Sequence, residues 1–164
     1  MWKSSGLSTG RTCWRQSERG ERVAYQRLGL VDLIKSIQTR VEEHTGLRCY
    51  DAIPQNALSP FYFAEVIRTT PANTKTMFRD NFTVWIHCIA APPAPGDPVS
   101  SVGVYKLIED LQEAMTEDIE LPEPFELIMQ TDGGVQTIKT DETRERHAVV
   151  VFDFMVCYGF RCKN

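Results

Sequence analysis

The sequence predicts an α+β sandwich: a mostly antiparallel sheet of four to five strands with two helices packed on one face, in the order α-β-β-β-α-β-β. Three observations carry this expectation. Phe61 to Ala90 reads as two long strands, FYFAEVIRT and NFTVWIHCIA, joined by TPANTKTMFRD, and both are rich in aromatic and β-branched residues. RHAVVVFDFMVCYGF, residues 146 to 160, is apolar on both faces except at Asp153, the pattern of a strand inside a sheet or against another subunit. Two further segments, one on each side of the central hairpin, repeat apolar residues at helical spacing.

Taken in order, residues 1–28 carry Ser, Gly, Thr, Arg, Trp2 and Trp14 without apolar periodicity and read as a flexible basic arm, leaving 29–164 as one domain. Leu30, Leu33, Ile34, Ile37 and Val41 mark one face of the first helix, which Gly46 stops. LRCYDAI is a short strand ended by Pro54, and PQNALSP leads into the Phe61 strand. In the hairpin, Phe82, Val84, Ile86 and Cys88 share one face, while Thr83, Trp85, His87 and Ile89 share the other. Both faces hold apolar residues, so the sheet needs covering twice. APPAPGDP, residues 91–98, cannot be helix or inner strand and reads as a stiff crossover. Asp97 and Pro98 are placed to start the second helix, whose apolar face is Val104, Leu107, Ile108, Leu111 and Met115. FELIMQ is the next strand, TDGG is a turn signal, and VQTIKTDETRER is a further hairpin arm or loop before the last strand.

Composition narrows the function classes. A chain of 164 residues with 42% apolar residues buries one sizeable core. The net charge of −4 argues against a reader of duplex-DNA grooves. The balance is uneven: residues 1–29 hold six basic side chains against two acidic ones, and the remaining 135 residues carry −8. Five cysteines, Cys13, Cys49, Cys88, Cys157 and Cys162, show no zinc-type spacing and read as thiols in a reducing compartment. No stretch is long enough to span a bilayer, and no secretory signal opens the chain, so the expectation is a soluble protein of a cytoplasm with no membrane partner.

No residue set forms a catalytic, metal or cofactor motif. His87 and Cys88 are adjacent on a strand and point to opposite faces, so they cannot act on each other. His44 sits in the last turn of the first helix, where it complements the dipole, and His147 reads as a capping or hydrogen-bonding residue at a sheet edge. The acids of TED and EPFE read as a solvated face, Asp132-Gly133-Gly134 as a hairpin turn rather than a phosphate cradle, and Asp51 as a turn residue. Asp153, a carboxylate in VVVFDFMV, is expected at an interface, paired with a basic side chain.

The ordered segments carry a resemblance. A helix ending in TG, then LRCYDAIPQNALSPFYFAEVI with Tyr50, Asp51, Pro54, Pro60 and Tyr62, the TVWIHCI strand, an acidic helix after a Pro-rich crossover and a closing strand introduced by Arg146-His147 resemble the tail-completion proteins of long-tailed bacteriophages, over roughly residues 29 to 160. What this implies is a structural virion protein at the head-tail junction, assembled in the bacterial host cytoplasm. It forms a ring, hexameric by the resemblance, that terminates the tail tube and joins it to the head connector or stopper proteins. DNA passes through without specific binding, and there is no enzyme activity. On that reading the subunit-interface candidates are Trp85, His87, Ile89, Phe152, Asp153 and Phe154; the partner-loop candidates are Lys75, Phe78, Arg79, Lys139 and Arg144; the channel-facing acids are Glu109, Glu113 and Glu117. The alternatives are another neck component such as a connector stopper, a small α+β enzyme or ligand-binding domain using His87, Cys157 or Asp153, and a nucleic-acid-binding module working through the basic arm.

Overall fold

Apolar residues three and four apart build α1 (Leu30–Thr45) and α2 (Val102–Ala114), and alternating ones build β1 (Cys49–Tyr50), β2 (Phe61–Pro71), β3 (Met77–Ala90), β4 (Glu126–Thr140) and β5 (Arg146–Phe160), the predicted order. The computed structural model describes residues 26–53 and 55–160. The arm up to residue 25 with Trp2, Cys13 and Trp14, and also Pro54 and Cys162, lie outside the described residues. The five strands form one sheet in the order β1-β2-β3-β5-β4. β1 runs parallel to β2, and every other pairing is antiparallel.

Both helices cover the same sheet face. Leu33, Ile37 and Val41 of α1 and Val104, Leu107, Ile108 and Leu111 of α2 meet Tyr62, Ala64, Phe82, Val84, Ile86, Cys88, Ala148, Val150, Phe152, Phe154 and Val156 in one buried cluster. Neither helix start has a side-chain cap. A cap is worth about 1 kcal/mol, whereas each fully buried Leu, Ile or Phe contributes about 1.5–3 kcal/mol, so packing holds these helices. α1 stops where expected: Gly46 adopts φ 69°, open to glycine without strain, and its N–H bonds the Glu42 carbonyl at 3.0 Å. The Glu42 carboxylate then accepts the Cys49 N–H at 3.0 Å and seats the start of β1. Tyr62 is completely buried, and its hydroxyl donates to the Leu107 carbonyl at 2.9 Å, tying β2 to α2. Arg40 ties α1 to the end of α2, donating from Nε to the Ala114 carbonyl and from Nη2 to Glu117, both at 2.7 Å.

Three sequence expectations change. α2 begins at Val102 and not at Asp97-Pro98, because the Asp97 N–H is held in a turn by the Ala94 carbonyl at 3.0 Å and Gly96 takes φ 95°. TDGG is not a turn: β4 runs through it for 15 residues, with register irregularities absorbed at Asp132/Gly134 and Val135/Thr137, and the chain reverses instead at Asp141–Glu145. The glycines serve the strand. A Cβ on Gly133 would sit 3.2 Å from the Val151 carbonyl oxygen, and Gly134 adopts φ 78° with its N–H on the Asp132 carboxylate at 2.7 Å. Finally, Leu28 is buried, and Arg27 reaches Asp80 at 3.7 Å and lies over the Tyr158 ring, so the domain takes in the last residues assigned to the arm.

Candidate interaction face

Side chains alternate across a pleated strand, so the pairing register decides which residues share the face that no helix covers. Its rows are Phe61, Ile89 and His147; Phe63, His87 and Val149; Glu65, Trp85 and Val151; then Thr83, Asp153 and Thr131. At one end Phe61, Phe63 and Ile89 are buried beneath Tyr50 and Ala57, with Tyr50 edge-on to Phe61 at 5.6 Å. The segment after β1 therefore folds back over this end. Beyond it Trp85, Val151 and Met155 are half-buried and Met129 is 50% exposed. On either side of the polar Thr83, Asp153 and Thr131 row these residues make an apolar strip with no cover among the described residues.

A polar chain crosses the same face. His87 Nδ1 lies 2.7 Å from His147 Nε2, and His87 Nε2 lies 2.9 Å from Glu65 Oε1. Phe63 stacks flat on the His87 ring, centroids 3.9 Å apart and planes 9° from parallel. One proton arrangement satisfies both contacts with neutral rings and an ionised Glu65: His147 Nε2–H donates to His87 Nδ1, and His87 Nε2–H donates to the carboxylate. Burial lowers the pKa of His87, opposed by the hydrogen bond to Glu65 and reinforced by His147. Burial also lowers that of His147, with Asp141 opposing and Lys139 reinforcing.

Trp85, His87, Ile89 and Asp153 thus share the helix-free face, but Ile89 is covered by the chain itself. Phe152 and Phe154 do not belong with them. They are 1% and 0% exposed on the opposite face, under the helices, because neighbours of Asp153 must point away from it. Asp153 finds no basic partner among the described residues; its Oδ1 accepts from Thr83 Oγ1 at 2.6 Å and from Asn81 Nδ2 at 3.4 Å, which satisfies the carboxylate with neutral donors. His147 is not at a sheet edge, since β5 lies between β3 and β4.

In the connections, Lys75 is exposed in the β2–β3 turn and Lys139 is exposed near the end of β4. Arg79 is committed to that turn, its Nε donating to the Ala72 carbonyl at 3.0 Å, and Phe78 stacks on Tyr158 at 6.0 Å. Arg144, at φ 65°, donates from Nη2 to the Asp97 carbonyl at 2.7 Å and so pins the β4–β5 turn to the Pro-rich crossover. Glu109 and Glu113 stand exposed on α2, whereas Glu117 lies past the helix end in an ion pair with Arg40, which lowers its pKa.

The residues proposed for an enzyme do not converge. Asp153 pairs across from Thr83, four residues along β3 from His87, about 13 Å at strand rise; Cys157 pairs across from Arg79, about 26 Å away by the same measure. Cys49 and Cys88 are buried, and desolvation pushes both thiols up to about 12, far from a nucleophilic thiolate. A cleft of about 500 Å³ between α1 and the segment after α2 is lined by charged side chains, but its Arg40 is already spent on Ala114 and Glu117. No helix among the described residues is long and apolar enough to cross a membrane. Sequence reasoning missed Glu65 and Phe63. The signal available was parity: both lie an even number of residues from Phe61.

Comparison with known proteins agrees with the architecture. The model of a phage tail terminator family, described as tail termination protein, matches residues 24–164. Among solved structures, a chain of the virion of a native gene transfer agent particle superposes with a TM-score of 0.62 at 16% identity, covering 77% of this chain and 96% of that one. No curated protein matches the sequence.

Proposed function

We propose a function from one premise: this chain belongs to the phage tail terminator family. It is a structural, non-enzymatic subunit of a phage-type virion at the head-tail junction. Copies of it close into a ring, hexameric by the family resemblance, that ends the tail tube and joins it to the head connector. Trp85, Val151 and Met155 form part of the contact between neighbouring copies, the β2–β3 and β4–β5 turns carrying Lys75 and Arg144 meet the tube and connector proteins, and Glu109 and Glu113 face the DNA passage.

The observation that carries this reading is the second sheet face. The helices satisfy one side of the sheet, yet the other offers a half-exposed aromatic and aliphatic strip that nothing among the described residues covers. A head-to-tail contact repeated about an axis buries such a strip on every copy and closes without a remainder. The test is native mass by light scattering over a range of concentrations, followed by imaging of the largest species. A closed ring, formed alone or on adding tail-tube protein and abolished by Trp85→Ser, is the expected outcome. A monomer at every concentration that ignores tube and connector proteins overturns it.

A further inference from the structure

The apolar strip of the helix-free face has a buried titratable chain beside it. His87 is 6% exposed, stacked under Phe63, and flanked by Trp85 at 6.3 Å between ring centroids. Its two nitrogens are both engaged, one by Glu65 from β2 and one by His147 from β5. The contact between the two imidazoles is asymmetric in its tolerance of protons. One extra proton fits, on the far nitrogen of His147, with both hydrogen bonds kept. A second has no place, because His87 Nδ1–H and His147 Nε2–H would then face each other across 2.7 Å.

We propose that the Glu65–His87–His147 chain makes self-association through the helix-free face proton-sensitive: the face assembles while the chain is closed, and acid parts His147 from His87 and releases the contact. This rests on the reading above that a second copy of the chain covers this face. The coupling follows from desolvation. A neighbouring copy that covers Trp85 and Val151 removes water from the adjacent row as well, and an imidazolium pair is then charged, self-repelling and dry. Association therefore selects the less protonated chain. The charged groups facing the pair are Glu65 from β2, Asp141 from the β4–β5 turn and Lys139 from β4, which stands opposite His147. The two acids favour the first proton, whereas Lys139 opposes it. Neither effect makes room for the second.

The experiment has two arms on the full chain. In the first, self-association is measured by sedimentation from about pH 8 to about pH 5 at fixed ionic strength. The dissociation constant rises about tenfold per pH unit once the pH is below the pKa of the pair in the free subunit, one linked proton giving that slope. His147→Gln, which keeps a side-chain N–H donor toward His87 but cannot titrate, flattens the profile. In the second arm, nitrogen NMR of the histidine rings in the monomeric form at low concentration reads the tautomers: His87 carries its proton on Nε2 and His147 on Nε2 at neutral pH, and the two rings titrate in separated steps. A pH-independent association in the parent, an unchanged slope in His147→Gln, or a His87 ring protonated on Nδ1 at neutral pH overturns the proposal. A chain that stays monomeric at every pH overturns the ring reading instead, and the tautomers and separated titration then decide the chain by themselves.

Discussion

Removing Arg40 tests whether one side chain holds the two helices in register over the sheet. Its guanidinium reaches from α1 to the last carbonyl of α2, Ala114, and to Glu117 beyond it, both at 2.7 Å, with only 15% of the side chain exposed. The two contacts differ in worth. The bond to Ala114 is charge-assisted, part-buried and satisfies a carbonyl at a helix C-terminus, where a cation also complements the dipole. A hydrogen bond to a charged group contributes about 1.5–3 kcal/mol. Glu117 is 74% exposed, so its ion pair is screened by water and salt and adds little. Arg40→Ala is therefore expected to lower the unfolding free energy by about 2–3 kcal/mol, the upper end including the packing of the buried stem. Arg40→Lys, which supplies a point charge in place of a fork, recovers only part of it. Glu117→Gln leaves stability close to that of the parent. Urea unfolding followed by circular dichroism measures all three, with an unchanged slope confirming that the same transition is compared. A loss under about 0.5 kcal/mol in Arg40→Ala, the range of an ordinary surface change, refutes the reasoning, as does a Glu117→Gln loss equal to that of Arg40→Ala.

Three further outcomes are expected. Tyr62→Phe costs about 1 kcal/mol in the same assay, because the Leu107 carbonyl it frees remains in the α2 hydrogen-bond ladder, whereas Tyr62→Ala costs about 3–5 kcal/mol through the cavity it leaves. Stability falls on acidification: both imidazoles titrate near about 6.5 in the unfolded chain, while burial holds them lower in the folded one. The stabilisation is thus complete above about pH 6.5 and is lost as the pH drops through that value toward the lowered folded values; thermal unfolding at stepped pH shows a smaller loss in His147→Gln. Reversing the exposed acids, Glu109→Lys with Glu113→Lys, leaves the fold intact and slows DNA passage in assembled particles, read as delayed ejection; unchanged retention and ejection exclude these positions from the passage.

Long periodic segments were legible without coordinates. The Leu33, Ile37 and Val41 stripe of α1 and its Gly46 stop, the two faces of β3 and the bounds of β5 all follow from repeats that only one packing satisfies, whereas Leu30, counted with that stripe, stands exposed in the first turn. The errors have a common source in local signals that tertiary contacts override. Asp132-Gly133-Gly134 carries turn chemistry, but the strand keeps going because Gly133 lets β4 approach Val151. Asp97-Pro98 carries helix-start chemistry, but the turn onto Ala94 uses it first. The list of interface candidates mixed Asp153 with Phe152 and Phe154, although alternation already forbids neighbours from sharing a face. The histidine chain was the least legible feature. Glu65, His87 and His147 stand 22 and 60 residues apart, and only the register of three strands brings them together.

Arg144 on the Asp97 carbonyl and Ser59 on Glu145 at 2.6 Å join three stretches of chain that look independent along the sequence: the link into β2, the proline crossover and the β4–β5 turn. Arg146 adds a third tie through the Ser101 hydroxyl. Loops of this kind usually vary one at a time, each free to lengthen or change without its neighbours noticing. Here an insertion in the crossover would shift the arginine's anchor and with it the tip of the β4–β5 hairpin. Redesigning this end of the molecule therefore means exchanging all three stretches together, as one cassette.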